Sequence, residues 1–343
     1  MDILKSLSNQ SQYSQAKLQW IIGAWVLASA VEGKPKISAK DGDLAEEDYD
    51  KASLYSLLYS LYSSMGDVEN EFGVKYEFTF NTWGYAWPAT WPASGVKSDD
   101  PQRFGKNAYT GHFHWQVIKD FIAQKDGKVH LVEMGCGTGA GAHHICKNVL
   151  PNCTYEAVDM QKTAIETCRR KYVPELNGRL VATHANATNL SVKDSSADIV
   201  VINETHVTEM VGVITPEDEK FFQTAYRILK PGGYLVWANA IPTGTWQASF
   251  DYVKSIGMNL LEVEDVTDLA IQARDEDAPR ADKYVEDCLN RFTGFKIPIL
   301  GARRREQAKE GLRNFFRSPG TRLYENMKDR SDTYKVVLMQ KGL

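Results

Sequence analysis

The sequence predicts an α/β protein built on an open, doubly wound sheet, and three stretches carry that prediction. In residues 128–145, KVHLVEMGCGTGAGAHHI, the apolar or β-branched Val129, Leu131, Val132 and Met134 make a short buried strand. Gly135, Gly137 and Gly139 follow at two-residue spacing and lead into a helix. Residues 198–204, DIVVINE, are an apolar run that ends in polar residues, as a strand buried on both faces of a parallel sheet does. Residues 227–237, RILKPGGYLVW, read as a helix end, a Pro-Gly-Gly stop and a further strand.

Glycine is needed after the first strand because the turn takes positive φ, and because a Cβ would hold a ligand away from the N–H groups at the helix start. A nucleotide-like cofactor is the expectation. Spacing alone does not name it, since Gly135, Gly137 and Gly141 also fit a stretched dinucleotide fingerprint. Glu133 separates the two readings. The pattern Glu133-x-Gly135-x-Gly137-x-Gly139 resembles motif I of class I S-adenosylmethionine (SAM) methyltransferases, whose strand-end acid orders the loop and faces the methionine amino group. A dehydrogenase fingerprint asks for no acid there.

With 343 residues and 43% apolar content, the chain can bury one large core or two modest ones. A net charge of −4 and a pI near 6.0 argue against a partner whose phosphates must be tracked by a basic face, so no nucleic-acid substrate is expected. Cys136, Cys146, Cys153, Cys168 and Cys288 are odd in number and lack metal-ligand spacing. They read as reduced thiols of a cytoplasmic protein, and no metal is expected.

Near the start, Leu18 to Val31 is an apolar run of 14 residues. A bilayer takes about 20, so no membrane span is expected. The flanking lysines and Ala28-Ser29-Ala30 imitate a secretory signal, but export would separate the enzyme from cytosolic SAM. An apolar helix packed on the core, or on a second subunit as a homodimer, is the preferred reading. Residues 33–50 are a charged connector, after which Tyr55, Leu58, Tyr59 and Tyr62 recur at helical spacing. An aromatic run from Tyr76 through Trp83, Tyr85 and Trp87 to Trp91 then ends among Pro88 and Pro92, which forbid a regular helix there. The rings read either as a plug against the core or as a lid over an apolar or cationic acceptor.

Trp83-Gly84-Tyr85 resembles the aromatic-glycine segment that precedes the core in C-methyltransferases acting on sterols, tocopherols and isoprenoid diphosphates. It implies substrate contacts for Trp83, Tyr85 and Trp87. His112 and His114 stand just before the helix Trp115 to Gln124, from where they reach either the site or the surface.

Cys153 to Val158 reads as the second strand, ending in Asp159, 20 residues after Gly139. A carboxylate at that place takes both ribose hydroxyls, with Met160 beside the cofactor. A helix over Ala164 to Tyr172 and a strand over Leu180 to Ala182 follow, then Asn186 and Ala187. The resemblance puts an acid at position 186 to meet the adenine amino group, with the next N–H on the ring. Asn186 departs from that pattern, though its amide oxygen can still accept. Asn203, Glu204, Thr205 and His206 close the fourth strand at its carboxyl end, where ligands of such sheets sit. Asn203-Glu204-Thr205 resembles the segment in isoprenoid C-methyltransferases whose glutamate steadies a cation or removes a proton. Glu204 is therefore the first catalytic candidate, with a capping role as the alternative, and His206, His112 and His114 are reserves.

RILKPGGYLVW is characteristic of class I methyltransferases, and the resemblance covers residues 111–264. It implies a Rossmann-like sheet of seven strands, the sixth near Gly257 to Val266 and an antiparallel seventh over Tyr334 to Met339. Residues 1–110 are expected to form a helical and aromatic cap, 265–327 a helical lid insertion, and 328–343 the last core strand. Arg303-Arg304-Arg305, Lys309, Arg313 and Arg317 read either as a solvated basic face or as a clamp for an anionic acceptor. The function implied is methyl transfer from SAM to a small, largely apolar C, N or O acceptor. A nicotinamide-dependent oxidoreductase and a non-catalytic SAM-binding scaffold are the alternatives.

Overall fold

A computed structural model of the chain describes residues 78–205, 212–291 and 300–343. The run Leu18 to Val31, the tyrosines Tyr55 to Tyr62, Tyr76 and His206 lie outside the described residues, and with them the expected N-terminal helices and any homodimer they would form. Of the described residues, Phe78 and 275–324 belong to one compact unit, and 79–274 with 325–343 to another.

The larger unit holds a sheet of seven strands: β1 (His130–Met134), β2 (Thr154–Asp159), β3 (Leu180–His184), β4 (Ala197–Asn203), β5 (Leu229–Pro242), β6 (Met258–Asp265) and β7 (Asp332–Lys341). Their order is β3-β2-β1-β4-β5-β7-β6. β1 to β5 run parallel, while β7 pairs antiparallel with both β5 and β6. The order reverses between β1 and β4, so the crevice for a ligand opens beyond their carboxyl ends.

The helices of this unit are α1 (Arg103–Gly111), α2 (Gln116–Ala123), α3 (Ala140–His144), α4 (Lys162–Lys171), α5 (Pro216–Ile228) and α6 (Thr245–Ser255). A π-helical turn over Ile145–Val149 continues α3. On one face of the sheet, Val132, Val200, Ile202, Leu235 and Trp237 pack with Phe221, Phe222 and Ala225 of α5 and Trp246 and Phe250 of α6. Alternate residues Leu131, Ile199 and Val201 are just as buried, so these strands are covered on both faces and carry no polar side. Such rings and branched chains supply roughly 1.5–3 kcal/mol each when fully buried.

α5 begins at a capping box: the Thr215 hydroxyl accepts from the Asp218 N–H at 3.2 Å, and the Asp218 carboxylate accepts from the Thr215 N–H at 2.7 Å. The stretch Lys230-Pro231-Gly232-Gly233, expected as a stop before β5, is instead a bulge within it. The register slips between Ala197↔Leu229 and Ile199↔Tyr234, because Pro231 has no N–H to give and Gly232 takes φ +74°.

After β6 come α7 (Thr267–Arg291), α8 (Leu300–Phe315) and α9 (Arg322–Lys328), so the insertion before β7 is helical as expected. In the smaller unit, Arg305 and Lys309 pair with Glu286 at 2.7 and 2.6 Å, and Arg313 with Asp282 at 2.9 Å. Two acids of α7 thus pair with Arg305, Lys309 and Arg313 of the basic segment, which favours the salt-bridged face over the anion clamp. Among the described residues no helix is long and apolar enough to cross a membrane.

Candidate active site

The site is built from the ends of β1, β2 and β4. β1 delivers Glu133, wholly buried, and the chain then turns through Gly135, Gly137 and Gly139 at φ +88°, +54° and +84°. Three positive φ values in five residues are open to glycine at little cost. Space is as strict as angle. A Cβ on Gly135 would meet the Thr205 side chain at 2.1 Å, and one on Gly139 the Cys168 sulfur at 2.3 Å. Gly141 is different: its missing side chain lets the Tyr109 ring sit where a Cβ would be, 1.9 Å from the nearest ring atom, so it serves packing.

The Asp159 carboxylate at the end of β2 ties this turn to its own strand. One oxygen accepts from the Gly137 N–H at 2.8 Å and the other from the Gln161 N–H at 2.7 Å. Burial nevertheless raises its pKa above the ordinary value. Each oxygen keeps a further lone pair, as a pair of ribose hydroxyls would require. Thr205 closes the loop from the other side by donating to the Gly135 carbonyl at 2.9 Å.

Glu133 accepts from the Tyr155 hydroxyl at 3.0 Å through one oxygen, while its Oε1 has no hydrogen-bond partner among the described residues. Burial pushes its pKa up to about 8, and the Tyr155 and Tyr109 hydroxyls offset only part of that cost. A sealed carboxyl oxygen without a hydrogen-bond partner among the described residues, at the mouth of a glycine turn, suits an incoming ammonium. These residues fit SAM: Glu133 for the amino group, the glycine turn for close approach, Asp159 for the ribose.

The adenine side is less complete. Asn186 is exposed, and its amide oxygen already accepts from the Thr188 N–H and hydroxyl, both at 2.9 Å. Ala187 opens the 3-10 turn that Asn186 caps. Met160 is exposed beside them, and its carbonyl accepts from His184 Nε2–H at 2.9 Å.

At the end of β4, Asn203 and Glu204 part company. Glu204 takes φ +49°, and its carboxylate accepts from the Thr82 hydroxyl, from the Trp83 N–H at 2.8 Å and from the Tyr334 hydroxyl at 2.8 Å. Asn203 Oδ1 accepts from His112 Nε2–H at 3.2 Å. His112 is fully buried, and burial lowers its pKa to about 4. His114 is held elsewhere: its Nδ1–H donates to the Gly111 carbonyl at 2.7 Å and its ring stacks on Trp91 at 3.6 Å.

Of the aromatic run, Trp83 and Tyr85 are buried in the protein, with Tyr85 edge-on to Tyr334 and Trp91 at 5.8 and 6.0 Å. Gly84 makes this possible, since a Cβ there would strike the Phe104 backbone at 2.6 Å. Trp87 is half-buried, and its Nε1–H donates to the Pro92 carbonyl at 2.9 Å. Sequence reasoning did not find Thr82, Tyr109, Tyr155 or Tyr334. No spacing relates Glu204 to a threonine 122 residues away, and lone tyrosines in a helix (Tyr109) or in strands (Tyr155, Tyr334) read as core.

Comparison with known proteins agrees with this geometry. Residues 132–237 match a family model described as a methyltransferase domain. The chain is similar to a phthiotriol/phenolphthiotriol dimycocerosates methyltransferase of Mycobacterium leprae, 26% identical over 178 residues that cover 51% of this chain and 59% of that one. It also resembles a fatty-acid O-methyltransferase of Mycolicibacterium smegmatis, 30% identical over 130 residues, covering 37% and 43% of the two chains. The matches thus span well under two thirds of these relatives. A candidate sarcosine dimethylglycine methyltransferase of known structure from Galdieria sulphuraria superposes with a TM-score of 0.53 at 12% identity, over 81% of this chain and 98% of that one, a likeness of fold. The fold, the acid-and-glycine turn and the matched segment agree, and residues 132–237 match a methyltransferase domain set in this seven-stranded sheet.

Proposed function

We propose that the protein transfers the methyl group of SAM to a small, largely apolar acceptor. One observation carries the proposal: Glu133, sealed at the end of β1 with an oxygen that has no partner among the described residues, beside a glycine turn that Asp159 and Thr205 hold open. SAM, when bound, supplies an electrophilic methyl on a sulfonium. The chain's own contribution is to bind, orient and exclude water, which supplies most of the rate in a displacement of this kind. The apolar character of the acceptor is in keeping with the aromatic residues before α1 and with the lipid substrates named for both mycobacterial relatives. On this reading Trp87 is the ring of that run best placed to meet an acceptor, while Glu204 fixes Thr82 and Trp83 in position. Five free, buried thiols and dependence on SAM fit residence in the cytoplasm and a role in biosynthesis.

Calorimetric titration with SAM, S-adenosylhomocysteine and NADH, repeated on Asp159→Ala, tests the proposal. SAM and S-adenosylhomocysteine should bind and NADH should not. The variant should bind at least about 10-fold more weakly, because each lost charged hydrogen bond costs roughly 1.5–3 kcal/mol. Binding of NADH alone, or of nothing, would remove the proposal.

A further inference from the structure

Two groups able to take a proton meet at the end of β4, Glu204 just after the strand and His112 just after α1, and their surroundings differ. The carboxylate of Glu204 is already engaged by the Thr82 hydroxyl, the Trp83 N–H and the Tyr334 hydroxyl. These donors come from two segments far apart in the chain, Thr82-Trp83 and Tyr334, so the carboxylate serves as an anchor with its oxygens already occupied.

His112 is placed differently. Its Nε2 faces the Asn203 amide oxygen at 3.2 Å, and an amide oxygen can only accept, so the proton of the neutral ring sits on Nε2 and the lone pair on Nδ1. Nδ1 is sealed from solvent and has no hydrogen-bond partner among the described residues. A buried acceptor atom left without a donor costs about 1–3 kcal/mol, so it asks for an occupant. The rings of Tyr109 and Phe113 flank the imidazole edge-on at 6.3 and 6.4 Å, which makes its surroundings apolar. Asn203 belongs to β4 at its carboxyl end, the side of the sheet on which Glu133 and Asp159 stand.

We propose that His112, oriented by Asn203, is the general base of the reaction, and that the methyl acceptor is a neutral hydroxyl compound, an alcohol or a phenol. The inference rests on the methyltransferase reading above. Nδ1 takes the hydroxyl proton as the acceptor oxygen bonds the methyl carbon, and the sulfur–methyl bond breaks with its electron pair left on sulfur. Positive charge passes from the sulfonium to the imidazolium, so a sealed site gains no net charge in the step. The ring returns its proton to water only after the methylated product has left and solvent has entered the vacated site. Burial, which holds the free ring neutral with a pKa near 4, keeps the lone pair available at physiological pH. A carboxylate or a free amine would need no such base, which is why the geometry selects a hydroxyl.

The test uses the full chain, methyl-labelled SAM, and four probes of matched apolarity: 1-dodecanol, 4-octylphenol, dodecanoic acid and dodecylamine. Label should enter the alcohol or the phenol as a methyl ether. His112→Gln and His112→Ala should lower kcat by about 10²-fold or more, the ordinary loss for an acid–base group, with SAM affinity by calorimetry within about two-fold of the parent. Nitrogen-15 NMR of the parent, which requires no variant to fold, should find His112 neutral with its proton on Nε2 at pH 7. An Nδ1-protonated or charged ring overturns the proposal. So does wild-type turnover in His112→Gln, methylation confined to the acid or the amine, or failure of every probe while SAM binds. Absence of SAM binding by the parent is the separate result that removes the underlying reading as well.

Discussion

Glu133 shows how one residue couples folding to ligand binding. Its pKa is raised by burial from 4.5 to about 8, so between those values the folded chain holds a proton that the unfolded chain has lost. That contribution to stability is fully present below the unfolded value and fades as pH rises through the folded one. The melting temperature of the unliganded protein should therefore fall as pH climbs from about 5 to about 8, and Glu133→Gln should flatten the slope. A bound ammonium reverses the preference and expels the proton. Calorimetry near neutral pH in two buffers of different ionisation enthalpy should report release of about one proton with SAM, and none with Glu133→Gln. Equal heats in both buffers for the parent would show that Glu133 is already ionised. The glycines beside it are equally specific. Gly139→Ala must force a Cβ into the Cys168 sulfur from a left-handed backbone, so SAM affinity should fall at least about 10-fold by calorimetry, in keeping with a strain of several kcal/mol.

At the scale of elements, most of the core was legible. The apolar run of β4 and the acid-glycine turn after β1 specify strand, turn and helix by local chemistry, and the structure has them where the residues say. The α5 start is of the same kind. Thr215→Ala removes an N-cap whose partner Asp218 is buried, and should cost about 1 kcal/mol in the denaturation midpoint without changing its slope. A neutral result would mean that water replaces the cap. Where local rules were ambiguous the sequence misled: Lys-Pro-Gly-Gly reads as a break, yet pairing with β4 and β7 carries the strand through it as a bulge. The partners of the site residues were less legible still. Glu204 was visible as a strand-end acid, but whether it works on substrate or ties down chain depends on Thr82 and Tyr334, brought to it only by the tertiary fold.

Across the larger unit, Glu204 joins the segment before α1, the end of β4 and the start of β7 at one carboxylate. Removing it strands donors at a cost of about 1–3 kcal/mol each. Glu204→Ala should thus loosen the segment before α1, and trypsin should cut after Lys97 or Arg103 faster than in the parent, read by mass spectrometry. An unchanged cleavage map would deny it that role. The strand order has a consequence of another sort. β6 touches the sheet only through β7, and β7 lies after the whole helical insertion in sequence. While the chain leaves the ribosome, β1 to β5 can pair as they emerge, but β5 presents an open edge and β6 has nowhere to dock until residues 332–341 arrive. The interval in which this protein is most exposed to misassociation is therefore set by its translation, and a pause anywhere in the insertion prolongs it.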